Sequence, residues 1–226
     1  MAAKLLRRCE IAQHTSILRC TEQDLPLISH NPSSPSSSPC KASRDHLGHP
    51  QSIIDTDTKD PVSAYASLLR KCGELRSFSH GKRIHSLLVG KGGSNIIDDS
   101  NTFLANLLIQ MYGNCGAIAE SASVFYNLPF KNVYSWNLLM GAYIQNDQNF
   151  NVYPLFLHMQ MENFIPDQVT FVTVLSSCSS ISCLLGGQWI HVNMQFFGFE
   201  YDSIAGTALL NMYGKCGSLN NALRVF

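Results

Sequence analysis

The stretch Val133 to Asp167, VYSWNLLMGAYIQNDQNFNVYPLFLHMQMENFIPD, decides the fold of this chain. Its apolar residues recur at helical spacing in two segments, which predicts two short amphipathic helices closed by the turn at Pro166 and Asp167. A helical hairpin of this size cannot bury its own apolar faces and needs neighbours of the same shape. The stretch therefore predicts that the chain contains internal repeats.

The sequence repeats itself at two spacings. A shift of 101 residues places the segment 106–125 on the segment 207–226 and keeps the pattern Met-Tyr-Gly-x-Cys-Gly in register. A shift of 106 residues places the segment 67–85 on the segment 173–191 and keeps the pattern Gly-x-x-Ile-His in register. The chain therefore contains three kinds of hairpin in a fixed order.

These motifs carry a family resemblance. The Ser-Trp-Asn of residues 135–137, the two Met-Tyr-Gly-x-Cys-Gly motifs (111–116 and 212–217), the Gly-x-x-Ile-His motifs and Pro166-Asp167 resemble the pentatricopeptide repeat proteins of land plants. They are most similar to the subclass that alternates standard, long and short repeats. The resemblance implies a first long repeat (62–101), a short repeat (102–132), a standard repeat (133–167), a second long repeat (168–202) and a truncated second short repeat (203–226).

The fold class follows from the periodicity and the resemblance together. We expect an all-α protein, a right-handed α-solenoid of stacked antiparallel helix hairpins of the tetratricopeptide-like superfamily. In the short repeat, Gly113 and Gly116 are expected to turn the chain between helices. In the standard repeat, Pro154 is expected to delay or bend the second helix unless it lies in the first turn. Trp189 is expected to be a packing anchor, and residues 90–101 a tolerated surface insertion.

Composition narrows the class of protein without identifying a ligand. The 226 residues are 45% hydrophobic and contain no apolar run of membrane-spanning length, so no membrane partner is predicted. Sixteen basic residues balance sixteen acidic ones. Net charge therefore gives no sign of a nucleic-acid ligand, and only the repeats indicate one.

Cysteine and histidine patterns favour packing over chemistry. Cys72, Cys115, Cys178 and Cys216 recur at equivalent places in apolar segments, which indicates reduced core residues. No Cys-x-x-Cys pair occurs, so no metal site and no cofactor are predicted. The histidines at 85 and 191 recur at one repeat position, which favours a packing or hydrogen-bonding role. No nucleophile motif or carboxylate pair stands out, so we predict no catalytic residue and no enzyme.

Residues 1–61 differ in kind from the repeats. The first twenty residues are basic with one acidic residue, and the segment 31–43 is rich in Ser and Pro. This composition is typical of an organelle transit peptide followed by a disordered linker. The alternative is a disordered leader without a targeting role. Location in a mitochondrion or chloroplast is predicted, and composition does not distinguish the two.

The resemblance also implies which residues contact RNA. In the family, the fifth and last residues of a repeat read one base, and the second residues of adjacent repeats sandwich it. Carried over, the base-reading residues are Asn106 with Asn132, Asn137 with Asp167, and Thr207. The base-sandwiching residues are Phe103, Tyr134, Val169 and Ile204. The long repeats carry Ala66 and Val172 at the fifth position, and neither side chain can hydrogen-bond a base.

Hydrogen-bonding chemistry predicts the preferred bases. Asp167 is an acceptor and suits the N3 hydrogen of uracil, whereas Asn132 can donate to the bare N3 of cytosine. The short and standard repeats are therefore expected to prefer cytosine followed by uracil, with a purine two places later opposite Thr207. The resemblance supplies the parallel polarity and the purine preference of Thr207.

The predicted function is sequence-specific binding of single-stranded organellar RNA, as a specificity factor for cytosine-to-uracil editing or other transcript processing. The sequence contains no deaminase motif, so such chemistry is predicted to come either from sequence beyond this chain or from partner proteins in trans. Helical-hairpin solenoids also bind peptides, and a protein–protein interaction scaffold is the alternative. The sequence stops about seven residues short of a complete 31-residue short repeat, which predicts either a fragment of a longer protein or a truncated gene product.

Overall fold

The structure is a computed structural model, and it describes residues 61–89, 102–199 and 201–225. These residues form ten α-helices and one short 3₁₀-helix (Asn149–Asn151), and they contain no strand. The α-helices are α1 (Pro61–Glu74), α2 (Phe78–Val89), α3 (Thr102–Asn114), α4 (Ile118–Tyr126), α5 (Val133–Gln145), α6 (Val152–Met161), α7 (Gln168–Ser180), α8 (Leu184–Phe196), α9 (Ser203–Lys215) and α10 (Leu219–Val225). The expected transit peptide and linker, the insertion at 90–101 and the chain end at 226 lie outside the described residues.

The helices pack as consecutive pairs. Each odd-numbered helix packs against its even-numbered partner and against the odd-numbered helices of the neighbouring pairs, so α1, α3, α5, α7 and α9 form one row. The first four even-numbered helices, α2, α4, α6 and α8, also pack against the odd-numbered helix that follows them. This arrangement confirms the predicted all-α solenoid. Among the described residues, no helix is long and apolar enough to cross a membrane.

The same left-handed turn closes every pair. One residue between the two helices has a positive φ, and it is the fifteenth residue of each predicted repeat: Arg76 (51°), Gly116 (79°), Asp147 (58°), Ser182 (53°) and Gly217 (72°). In each turn, the next backbone amide donates to the carbonyl oxygen five residues earlier. This is the hydrogen bond of a Schellman motif, and it terminates the first helix. A left-handed non-glycine residue costs about 1–2 kcal/mol, so the turn geometry outweighs side-chain preference at three of the five positions.

The expected role of Gly116 in a turn is confirmed, but the same expectation for Gly113 is wrong. Gly113 lies inside α3, where a Cβ atom would lie only 2.7 Å from the Cβ of Ala142 on α5. The residue is glycine because the two helix backbones approach closely at this point. The short spacing between the two glycines did not reveal that only the second one leaves the helix.

The two repeated motifs pack against each other. Gly81 on α2 faces the side chain of Met111 on α3, and Gly187 on α8 faces Met212 on α9 in the same way. One turn further along, the Nδ1 atom of His85 lies 2.9 Å from the Tyr112 hydroxyl. The equivalent distance from His191 to the Tyr213 hydroxyl is 3.0 Å. The two motifs therefore contact each other at both junctions between a long and a short repeat. These contacts agree with the packing or hydrogen-bonding role expected for the histidines.

The second helix of the standard repeat accommodates its proline. The 3₁₀-helix precedes α6, and Pro154 occupies the first turn of α6. A missing amide costs nothing there because the first amides of a helix have no intrahelical acceptor. The rings of Tyr153 and Phe156 on α6 contact Trp189 edge-on at centroid distances of 6.1 and 6.3 Å. Trp189 is thus a packing anchor between successive even-numbered helices, as expected.

Candidate nucleic-acid interface

Four exposed apolar side chains recur along the row of odd-numbered helices. Each is the second residue of its helix, and each exposes about half of its surface: Phe103 (50%), Tyr134 (56%), Val169 (54%) and Ile204 (58%). Because about half of each side chain is exposed, burial alone does not explain the apolar choice at these positions. Regularly exposed apolar side chains are typical of a binding surface. These are the four residues expected to sandwich bases, and that role stays a prediction.

The last residues of the repeats start the next helices. Asn132 is the N-cap of α5, and its Oδ1 atom accepts from the Ser135 amide at 2.9 Å. Asp167 is the N-cap of α7, and its Oδ1 atom accepts from the Thr170 amide at 2.8 Å. Both caps are reciprocal, since the hydroxyl three residues on accepts from the cap's own amide. The Oδ1 atom of each side chain therefore serves the helix cap, and the second polar atom, Nδ2 of Asn132 or Oδ2 of Asp167, has no hydrogen-bond partner among the described residues.

In the standard repeat, the fifth residue braces this cap. The Nδ2 atom of Asn137 donates to Asp167 Oδ1 at 2.9 Å. The Thr170 hydroxyl lies 2.7 Å from Asn137 Oδ1 and 2.8 Å from Asp167 Oδ1. Asn137 is 8% exposed, so its amide is fixed in a single orientation by the packing of α5 against α7. The second carboxylate oxygen of Asp167, Oδ2, has no hydrogen-bond partner among the described residues.

The hydrogen bonds also set the charge of Asp167. Burial raises the pKa of this carboxyl group, but hydrogen bonds from the Thr170 amide, the Asn137 side chain and the Thr170 hydroxyl outweigh it. The net pKa lies below the usual range. Asp167 is therefore ionised at neutral pH and can only accept hydrogen bonds.

The short repeat places its two polar residues differently. Asn106 is 5% exposed, and its Oδ1 atom is buried without a hydrogen-bond partner among the described residues. Asn132 is exposed, and no hydrogen bond joins it to Asn106. An unpaired buried oxygen costs about 1–3 kcal/mol, so a donor that reached Asn106 would be bound favourably. Asn132 keeps its Nδ2 donor free because only its oxygen serves the cap.

The two long repeats and the second short repeat supply the remaining positions of the row. Asp202 is the N-cap of α9, where its Oδ1 accepts from the Ala205 amide at 2.7 Å and its Oδ2 accepts from Gln168 Nε2 at 2.7 Å. Both of its oxygens are thus occupied. At the fifth positions, Ala66 is buried and Val172 half-buried. The exposed Thr207 hydroxyl donates to the Ser203 carbonyl at 2.7 Å and keeps its acceptor lone pairs.

Three residues contribute to the site without having been predicted from the sequence: Thr170, Ser135 and Gln168. A signal for the first two was present, because Asn or Asp followed three residues later by Ser or Thr at a helix start is a capping pattern. The resemblance assigns the last residues of the repeats to base reading, and capping is a second role of the same side chains. Gln168 could not have been found, since its partner lies 34 residues away.

The cysteines of the described residues are free thiols, and two of them lie in the core. Burial raises the pKa of Cys72 to about 11 and that of Cys178 to about 12, so both thiols are protonated at neutral pH. All cysteines of the described residues are free. The same part of the chain holds no cluster of three or more residues suited to a metal ion.

Comparison with known proteins points to one family. A mitochondrial pentatricopeptide repeat-containing protein of Arabidopsis thaliana is 34% identical over 162 residues, which is 72% of this chain and 23% of the relative. A chloroplastic one is 33% identical over 160 residues, 71% of this chain and 19% of the relative. A third pentatricopeptide repeat-containing protein of the same species is 34% identical over 165 residues, which is 73% of this chain and 26% of the relative. No family model matches the chain.

These similarities support the pentatricopeptide repeat family for the repeat region, and the solenoid agrees with them. The chain spans about a quarter or less of the length of these relatives. The mitochondrial and chloroplastic names of two of them agree with the predicted organelle location. The alternating subclass is not distinguished by the shared names and stays a prediction.

Proposed function

We propose that this chain binds single-stranded RNA in an organelle along the row of odd-numbered helices, with one nucleotide for each repeat from the short repeat (102–132) onward. The observation that carries the proposal is the alternation of exposed apolar side chains with polar pairs along this row. Phe103, Tyr134, Val169 and Ile204 supply the apolar positions. Every base has an apolar face and a polar edge, so such an alternation matches a splayed-out single strand.

The apolar residues would hold bases by stacking. The base at the short repeat would lie between Phe103 and Tyr134, and the base at the standard repeat between Tyr134 and Val169. Stacking on an aromatic side chain contributes about 1–3 kcal/mol per base and does not depend on sequence. Tyr134 contacts both bases in this arrangement and therefore carries the largest share.

The polar pairs would give the preference. At the standard repeat, Asp167 Oδ2 accepts the N3 hydrogen of uracil while the remaining Nδ2 hydrogen of Asn137 reaches a uracil oxygen. At the short repeat, the Nδ2 group of Asn132 donates to N3 of cytosine, and the buried Oδ1 of Asn106 accepts from its exocyclic amine. The expected site is therefore cytosine, uracil, any base and a purine, read 5′ to 3′, with the purine opposite Thr207.

Affinity should be low for this chain alone. Association costs roughly 4–15 kcal/mol, and only two repeats present a complete pair of polar readers. We infer that the chain acts as a specificity element for cytosine-to-uracil editing or other processing of organellar transcripts. Editing or processing proteins in trans would supply the chemistry, because the described residues of this site include groups that bind a base and none that transforms it.

Selection of binding sites from randomised RNA tests the proposal. The chain should enrich cytosine followed by uracil, and Asp167→Asn should move the second preference from uracil to cytosine. This substitution is well matched because Asn and Asp are equally good N-caps. The Oδ1 cap would remain, and only the outward acceptor would become a donor. The reciprocal change, Asn132→Asp, should move the first preference from cytosine to uracil.

Asp202→Asn is the internal control for this selection. Both oxygens of Asp202 are already bonded within the protein, so its replacement should leave every base preference unchanged. Unaltered preferences in Asp167→Asn and Asn132→Asp, or equal enrichment of all sequences, would overturn the proposal.

The protein-scaffold alternative would use a different surface. Tyr126, Met161 and Phe196 are exposed apolar residues near the ends of three successive even-numbered helices, and each lies six residues before the end of its repeat. Phe196→Asp should abolish binding to a protein partner at this surface. Under the RNA proposal, the same variant keeps the base preferences of the unaltered chain.

A further inference from the structure

The row of exposed apolar residues ends in an unusual contact. Arg70 on α1 places its guanidinium carbon 5.8 Å from the centroid of the Phe103 ring and over its face. Phe103 is on α3, which lies between α1 and α5 in the row of odd-numbered helices. The guanidinium therefore covers the ring face on the α1 side and leaves the α5 side, toward Tyr134, open to a base.

A guanidinium group at this position can stack on the ring and bind a phosphate at the same time. It stacks on an aromatic face as a base does, because it is planar and cationic. Its N–H donors lie along its edge and remain available for a phosphate, which a bidentate guanidinium pair recognises well. Among the described residues, no carboxylate forms an ion pair with Arg70. This includes Glu74, which lies one turn along α1.

Three side chains with hydrogen-bond donors line the space beside this contact. A cleft of about 250 Å³ lies between α1 and α3, and its lining includes Arg70, Gln110 and Asn114 together with Glu74. The first three side chains offer donors to a phosphodiester. At the fifth position of the same repeat, Ala66 is buried and has no polar group for a base edge.

Positive charge is distributed unevenly along the described residues. The first helix pair (residues 61–89) carries five lysines and arginines against one acidic residue, whereas the rest of the described chain carries three against five. The net charge of zero for the whole chain conceals this difference. Cations therefore concentrate in the first helix pair, where the fifth residue of the repeat, Ala66, cannot read a base.

We propose that Arg70 closes the base-stacking row and binds the phosphate on the 5′ side of the first base, so that the first long repeat holds RNA backbone and reads no base. The inference rests on the proposed RNA binding and adds the point at which reading begins. Without Arg70, the outer face of Phe103 becomes free to stack one more base.

A fluorescent base can test which group covers Phe103. The full chain is bound to an RNA of the preferred sequence with 2-aminopurine placed immediately 5′ of the cytosine, a base whose fluorescence is quenched by stacking. In the unaltered chain, fluorescence at saturation should stay at or above that of the free RNA. In Arg70→Ala, it should fall below the free RNA. The slope of log K against log salt should also lose about 0.7 in magnitude for the lost phosphate contact.

Lys82→Ala is the matched control. Lys82 belongs to the same helix pair and also lies over a ring, 5.6 Å from the Phe78 centroid, but it is on α2 and outside the row of odd-numbered helices. The variant Lys82→Ala should give the same 2-aminopurine fluorescence as the unaltered chain. Equal quenching in the unaltered chain and in Arg70→Ala, or no quenching in either, would overturn the role of Arg70. Absence of any RNA binding by the unaltered chain would instead overturn the proposed function, and this inference with it.

Discussion

The side-chain amide of Asn137 donates a 2.9 Å hydrogen bond to Asp167, thirty residues further along the chain. The bond joins one helix of the standard repeat to the cap of the next repeat's first helix. Because the Thr170 hydroxyl and amide hold the same two side chains, neither group needs to lose rotamer freedom when a base arrives. Ordering a free side chain costs about 0.5–1.5 kcal/mol, so this pair is preorganised for binding.

Replacement of Tyr134 by Ala should weaken RNA binding more than any other change at the four apolar positions. Tyr134 would stack on two bases, at about 1–3 kcal/mol for each base. Its side chain is 56% exposed, so the free energy of unfolding should change by no more than about 0.5 kcal/mol. Fluorescence anisotropy with a labelled RNA measures the affinity, and urea unfolding measures the stability.

Phe130→Ala is the control for Tyr134. Phe130 is similarly exposed but lies in the connection before α5, outside the row. It should bind RNA like the unaltered chain. Equal losses of affinity in the two variants would mean that general surface hydrophobicity, and not stacking along this row, holds the RNA.

Stability should depend on pH through Asp167. The pKa of this group is lower in the folded chain than in the unfolded one, so its contribution is fully present above the unfolded pKa of about 4. The contribution is lost as pH falls through the folded pKa. The difference in unfolding free energy between the unaltered chain and Asp167→Asn should therefore be constant from neutral pH down to about pH 5 and should decrease in more acidic solution. A difference that grew on acidification would contradict the hydrogen-bonded carboxylate.

Gly113→Ala should destabilise the repeat stack by about 1–3 kcal/mol, the usual cost of an extra methyl group in a packed interface. The new methyl group would lie 2.7 Å from the Ala142 side chain, and the α3 and α5 backbones would have to separate. Thermal unfolding followed by circular dichroism measures the effect.

Gly141→Ala is the matched control, because a Cβ atom at this position of α5 would meet no atom of a neighbouring helix within 4 Å. Alanine is the better helix former by about 0.5–1 kcal/mol, so this variant should be more stable than the unaltered chain. Similar effects of the two substitutions would show that helix propensity, and not the close approach, determines the result.

The two glycines of the short repeat, Gly113 and Gly116, also show what the sequence could predict. Helical periodicity and the repeated motifs were sufficient for the solenoid, because they depend on residues that are near in sequence. The position of Gly116 in a turn was predictable for the same reason. Gly113 faces a residue of the next repeat, and no local pattern distinguishes a glycine that bends the chain from one that admits a neighbouring helix.

The candidate site was also predictable only where it depends on residues that are near in sequence. The resemblance named the polar and apolar positions, but it did not predict that Asn132 and Asp167 would serve as helix caps. Nor could it distinguish Asp167, which bonds to Asn137, from Asp202, which bonds to Gln168. Those differences depend on residues 30 and 34 positions apart, which only the packed helices bring together.

Two substitutions should make Asp202 resemble Asp167, so that the second long repeat reads a base. Val172 occupies the position equivalent to Asn137, and Gln168 holds the oxygen that would otherwise face a ligand. The double variant Val172→Asn with Gln168→Ala supplies an amide and frees Asp202 Oδ2, while the bond from the Ala205 amide keeps the cap. The nucleotide between the uracil and the purine should then become selective for uracil.

The single variants separate the two requirements of this design. Gln168→Ala alone frees the acceptor but adds no amide, and Val172→Asn alone adds an amide while Gln168 still occupies Asp202 Oδ2. Each should therefore leave the third nucleotide unselected, and only the combination should enrich uracil in selection from randomised RNA. Enrichment by Val172→Asn alone would mean that Gln168 yields to the base. No enrichment by the double variant would mean that a cap and an amide are insufficient without a hydroxyl like that of Thr170, whose place beside Asp202 is taken by Ala205.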